Sequence, residues 1–465
     1  QLSFSFYRHR AIRADFSGGQ ITSDAGLLPL RAFDQRYGLT RGLAECVCDD
    51  RDDSRVSHPG LALLRQRLYQ IIAGYEDAND ADRLRHDPAF QILADQPLGA
   101  PLGSQPTLSR WENSPWPRDL LRLQDALLDW FVKVCGEQVR KRGEILLDVD
   151  STDDPTYGQQ QLSFFNGGYD QHMYHPLLIF ERHTGCLLAA RLRRGTATSH
   201  ARIIPLLLRI VPRLQREFPK ARIKLRADAG FAFPLLYEFC EFFGIQYVIG
   251  IAANPRLQVQ AQHLQRHLAR RYRRAGHPQR SFSSFLYRAY SWSHQRRICY
   301  KAEHTEAGSN LRFLVTNLKG RSRSVFAFYN DRGECENRIE EFKNGFAADR
   351  LSCHRFRANA FLVAAQFRLQ PRQPVSLATT FVAALRTNRN AARSVVQDRG
   401  AHPRNSSLHP YSPGQRLAFS RSLPSRLQLL LDCLAASTTR SPEGTRRSYL
   451  EKRFARSKPR QRTPI

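Results

Sequence analysis

The chain has 465 residues, enough for roughly two or three domains with sizeable cores, and carries 71 Lys and Arg against 42 Asp and Glu. A formal net charge of +29 and a pI near 10.4 call for a polyanionic partner, with nucleic acid as the default. No apolar run of about 18 residues and no secretory signal is legible, so a membrane protein is excluded as an expectation and a soluble, cytoplasmic, nucleoid-associated protein is expected.

Residues 1–140 read as helical after a short extended start, with apolar residues at helical spacing over 25–37, 59–75, 81–93 and 120–136. The stretch Thr107-Leu108-Ser109-Arg110-Trp111-Glu112-Asn113 opens a short helix, capped by Thr107 or Ser109, that presents Arg110 outward. Such a module serves either as a DNA-binding domain with Arg110 on the DNA or as an ordinary helical lid.

At Gly143 the texture changes. An apolar strand at 145–149 is followed by a hairpin, 174–181 and 186–192, turned at His183-Thr184-Gly185. Then come a helix over 198–218, a strand at 223–227, a helix at 234–243 and a strand at 246–251. The order β-β-β-α-β-α-β describes an α/β fold, a mixed sheet with helical cover. From 256 to 310 the pattern is interrupted by a basic helix near 262–274 and strand-like pieces near 285–292 and 296–303, read as an insertion domain. The last strand, 311–316, leads into a helix.

The nine cysteines are scattered, and Cys46, Cys48 and His58 make only a weak zinc pattern, so reduced, partly buried thiols are expected. The chain opens on Gln1 and its single methionine is Met173, which reads as a fragment or a conceptual translation.

The chemistry concentrates in the last helix. At about 100° per residue, Tyr329, Arg332, Glu336 and Lys343 fall on one stripe about 60° wide. Two cations and a tyrosine could grip a phosphate backbone while the carboxylate holds a metal ion, although Glu340 lies on the same stripe and geometry alone does not choose between it and Glu336. Mixed charges on a helix also occur as a plain solvated face. Two strand ends add carboxylates: Asp148 and Asp150, which share one face of their strand, and Asp228 at the end of the next. Each singly could be a turn or cap residue. Together they offer the oxygen donors that Mg²⁺ prefers, and two such ions roughly 4 Å apart could serve both the attacking and the leaving oxygen.

Asp150-Ser151-Thr152, Asp228 within Arg226-Ala227-Asp228-Ala229-Gly230-Phe231, and the signature of Tyr329, Arg332, Glu336 and Lys343 resemble the DDE transposases of bacterial insertion sequences. Residues 150–160 and Phe164-Phe165-Asn166-Gly167-Gly168-Tyr169-Asp170 narrow the resemblance to the group 1 DDE transposase domain, over roughly residues 10–360. The resemblance implies a ribonuclease-H-like mixed-sheet core with an insertion domain before its last helix, plus a helical N-terminal domain. It selects Glu336 over Glu340 and favours Asp150, with Asp148 kept as the alternative first ligand, so that Asp150, Asp228 and Glu336 are the expected catalytic and metal-binding residues. Tyr329, Arg332 and Lys343 are the expected DNA contacts, and His200, Arg193 and Arg194 are assigned no more than backbone grip or surface.

The domains expected are a helical DNA-binding domain at 1–140, the first part of the core at 141–255, the insertion domain at 256–310 and the core's last strand and catalytic helix at 311–360. The expected activity is cut-and-paste transposition by metal-dependent cleavage at terminal inverted repeats and strand transfer to target DNA, with two Mg²⁺ (Mn²⁺ may substitute). Double-stranded DNA and a homodimer on DNA are the partners implied. The alternatives are a catalytically inactive remnant that only binds DNA, and a nuclease or resolvase on the same fold. Residues 361–465 depart from the pattern: 371–465 hold 18 basic and 4 acidic residues with weak periodicity. They read as a disordered basic tail or as the product of a frameshift, since codons compatible with 362–377 can spell, one register over, an apolar segment similar to a family helix.

Overall fold

A two-stranded antiparallel ribbon, β1 (Leu2–Tyr7) and β2 (Arg10–Ala14), opens the computed structural model, which describes residues 2–7, 10–14 and 22–366. Helices follow: α1 (Leu28–Tyr37), α2 (Leu39–Ala44), α3 (Gly60–Ala73), α4 (Ala81–Leu84), α5 (Pro88–Leu93), α6 (Gln105–Glu112) and α7 (Pro117–Arg142). The single helix expected over 81–93 is two, because Pro88 cannot donate to the preceding turn and Asp87 caps a new start by accepting from the Ala89 and Phe90 amides. The α6 cap position is Ser104, not Thr107 or Ser109. Gly143, at φ 69°, ends α7 in the left-handed conformation that glycine adopts without strain.

The chain then enters its sheet with β3 (Glu144–Ser151), makes a small excursion through β4 (Asp154–Pro155), β5 (Phe164–Asn166) and β6 (Gln171–Tyr174), and returns as β7 (Leu177–Glu181) and β8 (Leu187–Arg191). Next come α8 (Ile203–Glu217), β9 (Arg222–Ala227), α9 (Pro234–Phe242), β10 (Gln246–Ile251), α10 (Pro255–Ala275), β11 (Gln279–Tyr287), β12 (Arg296–Thr305) and β13 (Gly308–Thr316). Helices α11 (Ser322–Asn330), α12 (Gly333–Phe346) and α13 (Phe356–Gln366) complete the described part.

The main sheet has eight strands in the order β11-β12-β13-β10-β9-β3-β7-β8. Strands β3, β7 and β8 pair antiparallel, whereas β9 and β10 run parallel to β3. Three antiparallel strands continued by two parallel ones is the ribonuclease-H-like order. The fold is therefore mixed α/β, and the carboxyl ends of β3, β9 and β10 form one edge. Segments β11 to β13 extend the same sheet antiparallel from β10 instead of forming a sheet of their own.

The helical region is not a detached module. Leu63, Phe90, Trp111 and Leu123 from its helices share one buried cluster with Tyr174 of β6, Phe180 of β7, Phe342 of α12 and Phe361 of α13. Trp111 meets Phe361 edge-on at 5.2 Å. Residues 361–366 thus belong to a buried helix, so the change of character expected at 361 does not begin there. The basic tail expected over 371–465, and its reading as disordered or frameshifted, lies outside the described residues.

Two other expectations are corrected. The helix expected from 198 starts at Ile203, because residues 198–202 form a turn closed by Arg202 at φ 69°. The last helix is broken at Asp331 and Arg332, so the stripe from Tyr329 to Lys343 crosses a tightened turn in which the Arg332 amide donates to the Tyr329 carbonyl. The zinc pattern is not assembled: Cys46 donates to the Gly42 carbonyl and Cys48 accepts from Arg122. No helix among the described residues is long and apolar enough to cross a membrane.

Candidate active site

Strand β3 is buried along its length, and its two aspartates meet different fates. Asp148 stands opposite Arg226 in the β3–β9 register, and the guanidinium donates to both carboxylate oxygens at 2.7 Å. Both side chains are 1% exposed. Arg226 also donates to the Phe328 carbonyl at 2.6 Å, so the pair anchors the end of α11 onto the sheet. Burial pushes the Asp148 carboxyl up while Arg226 opposes the shift. Both Asp148 oxygens accept from Arg226 in a closed, buried ion pair, an environment unlike that of Asp150.

Asp150 lies two residues on, one step past the last β3–β9 pair, Val149 with Ala227. Asp228 follows Ala227 on the neighbouring parallel strand, so the two carboxylates stand side by side at the strand ends. Asp228 caps a single turn at Ala229–Phe231 by accepting from the Gly230 amide at 3.0 Å. Burial raises the Asp150 carboxyl to about 6; Arg332 opposes this, and the nearby charges of Asp228 and Glu336 add to it.

Arg332 donates to Asp150 at 2.8 Å and to Glu336 at 3.2 Å. Burial works against its charge, but Asp150, Tyr329 and Asp228 hold its pKa above the ordinary value. Glu336 is largely exposed and pairs with Arg332, whereas Glu340 is exposed and has no ion pair among the described residues. Tyr329 reaches the same edge. A Cβ on Gly250 would lie 2.9 Å from its hydroxyl and 3.0 Å from the Ala229 amide nitrogen, so the end of β10 must be glycine for the ring to approach. Burial raises the Tyr329 hydroxyl's pKa, which also feels Asp228 and Asp150. Lys343, three turns along α12, pairs with Asp153 at 2.7 Å. Cys335, between these residues in sequence, is buried and its thiol is pushed well up by burial and by Asp150 and Asp148, which makes it core.

The carboxylates and the stripe residues are therefore brought to one edge, and Arg110 is not among them. It lies exposed on α6, lining a cleft with Gln105, Ser109, His354 and Arg355. Arg193 is buried and clamps the carbonyls of His175, Thr198, Ser199 and Ala201. His200 meets the Gly230 carbonyl at 3.2 Å, beneath the Asp228 turn, and Arg194 is exposed. The sequence assigned no role to Arg226, and Arg193, read as backbone grip or surface, is instead buried. The signal for Arg226 was present, since a charge inside an apolar strand demands a partner and Asp148 posed the same demand on the strand before it.

A model of the transposase DDE domain group 1 family matches residues 4–396. The chain belongs to that family. Membership makes it a DDE transposase by descent, with phosphoryl transfer on DNA as the family's chemistry. No curated protein matches. Among solved structures, a piggyBac transposase synaptic complex with hairpin DNA aligns with 77% of this chain and 79% of its own at 11% identity and a TM-score of 0.37.

Among the described residues, no three His, Cys, Asp or Glu side chains stand close enough together to hold a metal ion. The donor set at the edge nevertheless fits a hard divalent cation in kind. Burial raises Asp150 and the charges of Asp228 and Glu336 add to the shift, while Arg332 supplies positive charge between Asp150 and Glu336 where a cation would otherwise stand.

Proposed function

We propose that this DDE transposase performs cut-and-paste transposition of an insertion sequence. The adjacency of Asp150 and Asp228 on parallel strand ends, with Arg332 and Glu336 closing over them, carries the reading. Asp150, Asp228 and Glu336 would hold two Mg²⁺ ions, or Mn²⁺ in their place, whose chemistry is to activate an attacking oxygen and stabilise a leaving one.

The residues themselves do the rest. Tyr329, Arg332 and Lys343 bind and orient the phosphates of the element's end, the guanidinium moving from carboxylate to phosphate as DNA arrives. In the first step, a water oxygen bonds to the scissile phosphorus, the P–O3′ bond breaks, and the 3′ oxygen leaves as a hydroxyl after taking up a proton. In the second, that 3′-hydroxyl bonds to a target phosphorus and displaces the target's own 3′ oxygen, so phosphodiester bonds are conserved. The helical segment 1–140, with Arg110 outward, binds the terminal inverted repeats, and two repeats call for a homodimer on DNA. A soluble, cytoplasmic, nucleoid-associated protein suits that work.

The test uses the full chain with inverted-repeat DNA and Mg²⁺. Wild type is expected to cleave at the element's ends, and Asp228→Ala and Glu336→Ala to bind without cutting. Undiminished cleavage in both variants would falsify the assignment. DNA binding by wild type without any cleavage would identify an inactive remnant.

A further inference from the structure

The excursion between β3 and β7 carries a family motif that the proposed chemistry does not use, residues 164–170. Its three strands pair in the order β4-β6-β5, and its tip is the turn that holds Tyr169. The excursion is braced on several sides. Asn166 donates to the Gly195 carbonyl at 2.7 Å, Gln171 donates to Asp153 at 2.9 Å, and the Tyr174 hydroxyl donates to the Gln161 carbonyl at 2.8 Å. Gly195 has no room for a Cβ, which would lie 2.2 Å from the Met173 carbonyl oxygen.

On this small sheet, large rings are left in solvent. Phe164 is 41%, Phe165 50% and Tyr169 43% exposed. Phe165 and Phe164 are consecutive on a strand and so serve opposite faces; Phe165 pairs with His172, ring to ring at 5.8 Å. Tyr169 stands edge-on against the buried His175 at 5.6 Å. The His175 Nδ1 is 2.7 Å from the Ala197 carbonyl oxygen, while its buried Nε2 has no hydrogen-bond partner among the described residues. The position is next to the chemistry. The Tyr169 hydroxyl feels the charges of Asp153, Asp150 and Asp228, and Asp153 in turn holds Lys343.

Exposed rings on a braced frame, beside carboxylates that act on DNA and in a chain of net charge +29, match the chemistry of one occupant. Nucleobases freed from pairing present flat faces that stack on aromatic rings, and the phosphates joining them seek cations such as the exposed Arg194 and a released Lys343. A paired duplex hides those faces. We propose that Tyr169, beside the scissile phosphate, and Phe165, on the paired strands of the same excursion, are stacking rings for unpaired nucleotides of the DNA strand. This rests on the transposase reading for its location, but its test does not need cleavage.

The full chain is titrated in EDTA with a fluorescent single-stranded oligo(dT) of about 15 nucleotides and with a duplex of equal length. Tyr169→Ala and Phe165→Ala are each expected to weaken oligo(dT) binding between about 5-fold and about 100-fold, the range known for loss of one base–aromatic stack. Duplex binding, driven by phosphates, is expected to change less than about 3-fold. Tyr169→Phe and Phe165→Trp, which keep the rings, are expected to keep the affinity. Unchanged oligo(dT) binding in both alanine variants overturns the proposal, as does an equal loss on both DNAs. A drop in self-association without a change in DNA binding also overturns it and assigns the rings to a second copy of the chain. If wild type never cleaves DNA yet the alanine variants lose oligo(dT) selectively, the stacking role stands and the proposed function fails.

Discussion

Two layers of charge lie along the same pair of strands and behave in opposite ways. In the lower layer, Asp148 and Arg226 neutralise each other with two short hydrogen bonds and almost no exposure. In the upper layer, two residues on, Asp150 and Asp228 sit side by side at the strand ends, where Arg332 and the Ser151 amide offset the repulsion that Asp150 feels from its neighbours. The lower layer is a closed pair that fixes where the end of α11 lies. The upper layer is short of positive charge, a balance that attracts cations.

The comparison can be broken most severely in the upper layer. Asp150→Asn is expected to reduce Mg²⁺-dependent cleavage by more than about 100-fold, since removing even the partners of metal ligands costs up to that much. An equally active variant would return Asp150 to the same class as Asp148. Next in size is the lower layer. Arg226→Met leaves Asp148 buried without a partner and is expected to cost about 3–5 kcal/mol in urea unfolding. The double change Asp148→Leu with Arg226→Met is expected to recover most of that loss, because it removes both charges at once; a double variant as unstable as the single one would show that the carbonyl anchor, not the ion pair, matters.

The pH dependence sharpens the contrast further. The folded protein holds the Asp150 proton more tightly than the unfolded chain, whose ordinary carboxyl titrates near 3.8. Its contribution to stability is therefore complete below about pH 4 and is lost as pH rises through about 6. A shift of about two units corresponds to at most about 3 kcal/mol. In EDTA, wild type should lose stability across that window, and Asp150→Asn should flatten the loss by about 1–2 kcal/mol, less than the ceiling because Arg332 then loses its ionic partner. An unchanged profile would remove Asp150 as its source.

The smallest effect concerns Lys343. Its pair with Asp153 is partly exposed, so Asp153→Asn should change stability by no more than about 1 kcal/mol. It should strengthen DNA binding a few-fold by releasing the lysine, whereas Lys343→Gln should weaken binding and lower the salt slope by about 0.9. Both are read by anisotropy at several salt concentrations, and a weaker-binding Asp153→Asn would show that the pair positions Lys343 instead of restraining it.

Much of the sheet was legible because its strands are short apolar runs bounded by turn residues, and the order of the main-sheet strands and their helices from 145 to 251 was that of the structure. The excursion between β3 and β7 was not, because its strands are two to four residues long and leave aromatic residues exposed, which blurs the alternation that marks a strand. The break at Asp331 and Arg332 was equally hidden. Its residues are ordinary in a helix, and the carbonyls of Phe328 and Asp331 are drawn to Arg226 from another strand.

The sequence by itself pointed to the family through the resemblance of its motifs, and its periodicity and residue types determined the mixed α/β order and which side chains could do chemistry. The resemblance preferred Asp150 and Glu336, but only the tertiary structure pairs Asp148 with Arg226, carries Arg332 to both Asp150 and Glu336, and brings Tyr169 within reach of the charges of Asp153, Asp150 and Asp228. Those distinctions depend on which charges and rings from distant segments share a buried or half-buried space. Burial and pairing, which decide whether a carboxylate is a closed strut or an open ligand, do not exist until the strands are side by side.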